Sequence, residues 1–307
     1  AYNGIIGVKP TYGRISRYGI IPYASSLDHV GYFTTNVEDA CTMLEVLAGR
    51  DDRDMTSSLR PVEAYRDHLN SDLHGKVIGV LENVQEVIRD QAVRDNVEAL
   101  CEKLAARGAQ IRRVRMPQEL METILPVYLT IANAEATANH SNLDGIRFGM
   151  REDGESVEEV MKNSRTKGFS AYVRKRFIIG SYSLFVENQD KLFRKAQKIR
   201  RLLVDHYCAL FAECDCILAS AAPTVAPLED EASDEALGKE HLVADNHMQL
   251  GNFSGYPSMT LPSGFVDGLP IGVNITCRPF EEQMMFDIAK AIEEETGLAD
   301  HTVEVKA

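Results

Sequence analysis

The strongest constraint on the fold lies between Lys76 and Val114, where a short β-rich run, an amphipathic helix and a second β-rich run follow one another with little linker. Lys76 to Leu81 is the first run. From Asp90 to Arg107, Val93, Val97, Leu100, Cys101 and Leu104 recur at helical spacing, and Gly108 supplies the stop. Gln110 to Val114 is the second run. Strands joined through a helix cannot form a tight hairpin, so the unit predicts parallel pairing with a right-handed crossover.

The same alternation continues elsewhere. Residues 34–50 predict an amphipathic helix, with Thr35 and Glu38 spaced as a capping box and Gly49 as the stop. Asp51 to about Asp72 is polar and reads as a loop or linker. A helix is expected from Pro126, which a first turn tolerates. Residues 141–170 read as an irregular excursion with one short helical stretch. Ser170 to about Glu213 reads as helix, with a break near Gly180 to Ser183. Cys216 to Ser220 has the composition of a buried strand, and Glu229 to Glu240 that of an acidic surface loop. Met259 to Leu261 and Ile271 to Thr276 read as adjacent core strands, joined through a Gly-Pro turn region. Phe286 to Glu294 reads as a last helix stopped by Gly297. The sum is an α/β chain with a mixed central sheet covered by helices on both faces. At 307 residues it can bury a substantial core.

Charge narrows the partners. A net charge of -13 makes the chain a poor candidate for gripping phosphate backbones by itself. No Gly-rich phosphate loop and no dense cluster with metal spacing occurs. The six cysteines are scattered, which argues against a disulfide framework and fits a reducing compartment. No apolar run approaches the roughly 20 residues that span a bilayer. Cys214-Asp215-Cys216 is the one close thiol pair and reads as core packing. Ser25-Ser26 has no base nearby in sequence and reads as a turn. His29 and His247 are isolated and read as surface or core-edge residues. The basic stripe Lys191 to Arg201 reads as a solvated helix face.

The opening Ala1-Tyr2-Asn3-Gly4-Ile5-Ile6-Gly7-Val8-Lys9-Pro10-Thr11-Tyr12-Gly13-Arg14 and its continuation to Ala24-Ser25-Ser26-Leu27-Asp28 resemble the amidase signature family. Within it the chain is most similar to the A subunits of glutamyl-tRNA(Gln) and aspartyl-tRNA(Asn) amidotransferases. Further matches are Ser141-Asn142-Leu143-Asp144-Gly145-Ile146-Arg147-Phe148-Gly149, Ser164 to Phe169 with Val173 to Gly180, Lys195 to Arg200, and Leu269 to Ile275. Two stretches depart from the pattern: Ala219 to Thr224, and Val186 to Asp190.

The resemblance implies a glutaminase subunit that hydrolyses glutamine to supply ammonia for misacylated tRNA. It places the catalytic Lys, cis-Ser and nucleophilic Ser upstream of Ala1. On that expectation the chain corresponds to the C-terminal portion of the amidase domain, the N-terminal portion missing, with residues 141–240 a largely helical excursion. It would hold no catalytic residue and be inactive alone. Three substrate contacts carry over. Arg176 would fork onto the α-carboxylate of glutamine, a geometry that suits guanidinium better than ammonium. Tyr128, seven residues before Glu135, would touch the substrate or else be a core-edge aromatic. Asp245, ahead of Asn252-Phe253-Ser254-Gly255-Tyr256-Pro257, would pair with the α-ammonium or else cap a helix. The resemblance further implies a heterotrimer completed by the amidotransferase B and C subunits. ATP and Mg would be used at the B subunit, which would also hold the aminoacyl-tRNA. It implies no cofactor in this chain, no membrane, and a cytoplasmic or organelle-matrix location. A different amidase of the same fold, acting on another small amide, is the alternative, and an interaction module without activity is a third reading.

Overall fold

The computed structural model describes residues 1–228 and 240–302. The first half of the chain contains β1 (Ile6–Lys9), β2 (Tyr32–Thr34), α1 (Val37–Leu47), β3 (Val77–Leu81), α2 (Glu82–Gln85), α3 (Gln91–Ala106), β4 (Gln110–Val114), α4 (Gln118–Met121) and α5 (Ile124–Asn139). The second half adds α6 (Val157–Gly168), α7 (Ala171–Leu184), α8 (Val186–Gln189), α9 (Phe193–Leu210), β5 (Cys216–Ser220), α10 (Gln249–Ser254), β6 (Ser258–Val266), β7 (Leu269–Cys277) and α11 (Glu282–Thr296). The expected acidic loop at 229–240 lies almost wholly outside the described residues. Contacts divide the chain into two compact units, residues 1–18 with 29–124 and 203–307, and residues 19–28 with 125–202.

The first unit holds one seven-stranded sheet in the order β2-β1-β6-β7-β5-β3-β4. β3 pairs parallel with β4 and with β5, as the strand–helix–strand pattern requires, while the other pairings are antiparallel. Successive strand residues point to opposite faces. On one face Ile78, Val80, Cys216, Leu218, Met259, Leu261, Val273 and Ile275 pack with Leu44, Leu100, Leu104, Phe286 and Ile292 from α1, α3 and α11. On the other face Leu81, Ile217, Ala219, Asn274 and Thr276 meet Tyr207, His247, Met248 and Leu250. The mixed sheet with cover on both faces is therefore the architecture read from the sequence.

Local differences have local causes. α1 is capped by Asn36, whose side chain accepts from the Asp39 N–H at 2.7 Å, rather than by Thr35. Thr35 instead donates its hydroxyl to Asp300 at 2.6 Å. The first amide of α1, on Val37, donates to the buried Glu293 carboxylate at 2.7 Å, where the helix dipole favours an anion. The β6–β7 hairpin turns on Asp267 and Gly268, both at positive φ, which glycine and aspartate tolerate best. The polar stretch 51–72 is irregular but is not a free linker. Tyr65 is buried at its end, and the buried Arg14 donates to the Tyr65 hydroxyl at 2.7 Å and to the Arg60 carbonyl at 3.0 Å.

In the second unit α7 runs unbroken through Gly180 to Leu184, and the expected interruption falls at Phe185 instead. Gly180 breaks nothing because it serves a crossing: a Cβ there would stand 2.1 Å from the Asn133 carbonyl oxygen of α5.

Candidate functional site

The second unit gathers a polar and aromatic cluster around Arg176. The crossing at Gly180 sets it up: Arg176 stands four residues earlier on α7, on the same helix face, and so is turned toward α5. Its Nη1 donates to the Tyr23 hydroxyl at 3.0 Å, and its Nη2 donates to the Tyr172 hydroxyl. The guanidinium also lies over the Tyr172 ring, 4.5 Å from the centroid. Burial works against its charge, but the hydrogen bonds to Tyr23 and Tyr172 outweigh it and hold the pKa above its usual value.

Tyr23 is supplied by a turn, as the Ser25-Ser26 segment suggests. Asp28 accepts from the Tyr23 N–H at 2.8 Å and from the Ala24 N–H, and the Leu27 N–H donates to the Ala24 carbonyl at 2.8 Å. Ser26 donates its hydroxyl to Glu135 at 2.6 Å and its N–H to the same carboxylate at 2.9 Å. Arg200 closes the turn by donating to the Ser26 hydroxyl at 2.8 Å and carbonyl at 3.0 Å. One member of the basic stripe is thus a structural clamp, while Lys195, Lys198 and Arg201 are exposed.

Tyr128 belongs to the same cluster. It is half-buried, and its phenol pKa is raised first by burial and then by Tyr23, with Arg176 pulling the other way. Beneath lies an aromatic box: Tyr23 meets His140 edge-on at 5.6 Å, His140 stacks on Phe169 at 6.2 Å, and Phe177 meets Phe169 edge-on at 5.0 Å. Arg165 lies over Phe169 and Phe177 and donates to the His140 and Leu143 carbonyls at 2.8 and 3.0 Å. Burial lowers the His140 pKa.

Asp245 is in the first unit. It is exposed, and its carboxylate accepts from His241 Nδ1 at 3.0 Å. The capping alternative falls: α10 starts four residues later, its N-cap is Met248, and no side chain caps it. Nearby, a cavity of about 850 Å³ is lined by Lys9, His29, Asn252, Ser258, Thr260 and Asn274, among others. Lys9 Nζ donates to the Gly251 carbonyl at 3.3 Å and to the Tyr256 carbonyl. Burial pushes the Lys9 pKa down to about 7, with Glu282 opposing. His247 is fully enclosed rather than at an edge. Its Nδ1 pairs with the Ala244 carbonyl at 2.9 Å, and burial lowers its pKa to about 4. Cys214 and Cys216 are both buried in the core, and burial pushes the Cys214 thiol up to about 12.

The fold brings Tyr128 and Arg176, two of the expected substrate contacts, together. Sequence reading missed Tyr23, Tyr172, Glu135 and Arg200 as their supports. Tyr172 carried a usable signal, standing one helical turn before Arg176. Tyr23 carried none, since its partners are remote in sequence.

A family profile described as Amidase matches residues 1–286. The A subunit of glutamyl-tRNA(Gln) amidotransferase from Koribacter versatilis (strain Ellin345) is 38% identical over 295 residues, covering 95% of this chain and 61% of that protein. Its namesake from Pseudomonas aeruginosa (strain LESB58) is 38% identical over 290 residues, covering 94% and 59%. The crystal structure of the A subunit of glutamyl-tRNA(Gln) amidotransferase from Thermotoga maritima superposes with a TM-score of 0.74 at 30% identity, over 95% of this chain and 58% of that one. The chain thus spans about three fifths of the length of the relatives it matches.

Proposed function

The chain belongs to the amidase family, and from that premise we propose that it serves a glutaminase A subunit, which releases ammonia from glutamine to amidate glutamate, or aspartate, carried on tRNA. The observation that carries this reading is the Arg176 guanidinium, held by two phenol oxygens beside Tyr128, with a planar fork of five N–H donors that suits a planar anion. An amino acid substrate brings such an anion in its α-carboxylate, and a simple aliphatic amide does not. Two parallel N–H···O bonds fix the orientation of the substrate as well as its affinity. Asp245 keeps the α-ammonium role that the resemblance gives it.

The same reading assigns this chain to a heterotrimer in translation. The B subunit holds the aminoacyl-tRNA, ATP and Mg, and the C subunit braces the pair. The charge of -13 on this chain supports leaving the tRNA to a partner. Among the described residues no group of three or more His, Cys, Asp and Glu side chains converges as a metal site.

In the assembled enzyme, Arg176→Ala should raise the glutamine KM about 10- to 100-fold, the scale of a charge-assisted hydrogen-bond pair, and spare amidation driven by free ammonia. Asp245→Asn should follow the same split. Equal loss with glutamine and with ammonia would make Arg176 structural and sink the reading.

A further inference from the structure

An arginine that must meet a carboxylate has to be held in one rotamer, because its free side chain carries about 2 kcal/mol of rotamer entropy. Two hydroxyls hold Arg176, and they are not equivalent. Tyr172 sits on the same helix, so it moves with α7, and it is 64% exposed. Tyr23 comes from a separate segment and is fixed at every point. Its N–H donates to Asp28 at 2.8 Å, its carbonyl accepts from Asn139 Nδ2 at 3.0 Å, and its ring rests edge-on against His140.

Arg176 can only donate, so the Tyr23 oxygen accepts and its own O–H must point elsewhere. Asn133 Oδ1, on α5 and 1% exposed, stands 3.5 Å from that oxygen. That separation is too long for a hydroxyl hydrogen bond, so the 3.0 Å bond to the guanidinium is the tie that the Tyr23 hydroxyl makes. We propose that Tyr23 is a positioning residue for substrate recognition, its anchored hydroxyl presetting the Arg176 guanidinium for the incoming carboxylate. The proposal rests on Arg176 meeting that carboxylate.

Tyr23→Phe removes the hydroxyl and keeps the ring on His140. Two measurements on the protein test it: L-glutamine affinity by calorimetry, and the 15N-edited side-chain resonances of Arg176 without ligand. The expected result is an affinity loss of about tenfold, with Arg176 going from restricted to freely averaging rotation and no change in thermal midpoint. Unchanged affinity or unchanged rotation overturns the proposal, as does an affinity loss that merely tracks a lowered midpoint. If Arg176→Ala weakens glutamine binding while Tyr23→Phe does not, positioning fails and the recognition role of Arg176 stands. If the unaltered protein does not bind glutamine, or Arg176→Ala changes nothing, the functional reading fails and takes the positioning role with it.

Discussion

Lys9 and His247 show how single residues couple this fold to pH. His247 is buried and Lys9 half-buried, and both are bases whose folded pKa lies below the ordinary value, at about 7 for Lys9 and about 4 for His247. Between the folded and unfolded values the unfolded chain binds a proton that the folded chain lacks, so stability rises with pH across each window. For His247 that window runs from about pH 4 up to its ordinary value of 6.5, and for Lys9 from about 7 up to 10.5. Urea midpoints measured across both windows should climb with pH. His247→Gln should flatten the acid limb, and Lys9→Met the alkaline one. A profile that Lys9→Met leaves unchanged would mean that the Gly251 and Tyr256 carbonyls keep the ammonium charged.

At the scale of elements, the crossing of α7 over α5 decides whether the cluster around Arg176 exists. Gly180 lets the two helices approach until no side chain fits between them, with the Asn133 carbonyl 2.1 Å and the Thr137 hydroxyl 2.2 Å from the place of a Cβ. The Thr137 hydroxyl donates to the Asn133 carbonyl of its own helix at 2.8 Å and lies 3.3 Å from the Phe177 carbonyl of α7. Gly180→Ala has to push the helices apart, at a cost of at least about 1–3 kcal/mol. The prediction is a lower thermal midpoint together with weaker glutamine binding, because Arg176 leaves Tyr23. Retained affinity at a lowered midpoint would separate the crossing from recognition.

At the scale of the molecule, the seven-stranded sheet is the body of the first unit, and β7 is its hub, paired with β6 on one side and β5 on the other. Ile275 sits in this hub, fully buried and opposite Met259 and Leu218. Ile275→Ala should cost about 2–5 kcal/mol, the range for a large-to-small change in a packed core. Hydrogen exchange should then lose protection in β5, β6 and β7 together, since one layer of side chains supports all three. Loss confined to β7 would show that the strands open separately.

The sequence alone determined what is repetitive or local. Short β-rich runs placed β3, β4 and β5, a period-3.6 pattern placed α3, and the parallel β3–β4 pair follows from the helix between its strands. Motif resemblance reached Arg176 and Tyr128, because both stand in runs whose residue order is itself distinctive. What the sequence left open depends on partners far along the chain. Asn36, not Thr35, caps α1, and Asp300 accepts from both side chains. Gly180 reads as a breaker until a second helix is laid against it. Residues 51–72 read as linker until Arg14 binds across them. Tyr23 gains its role only when the fold sets its hydroxyl against Arg176, 153 positions away. Periodicity and propensity act over a few residues, whereas hydrogen bonds and close packing act over a few ångströms. Only the tertiary structure converts the first kind of neighbour into the second.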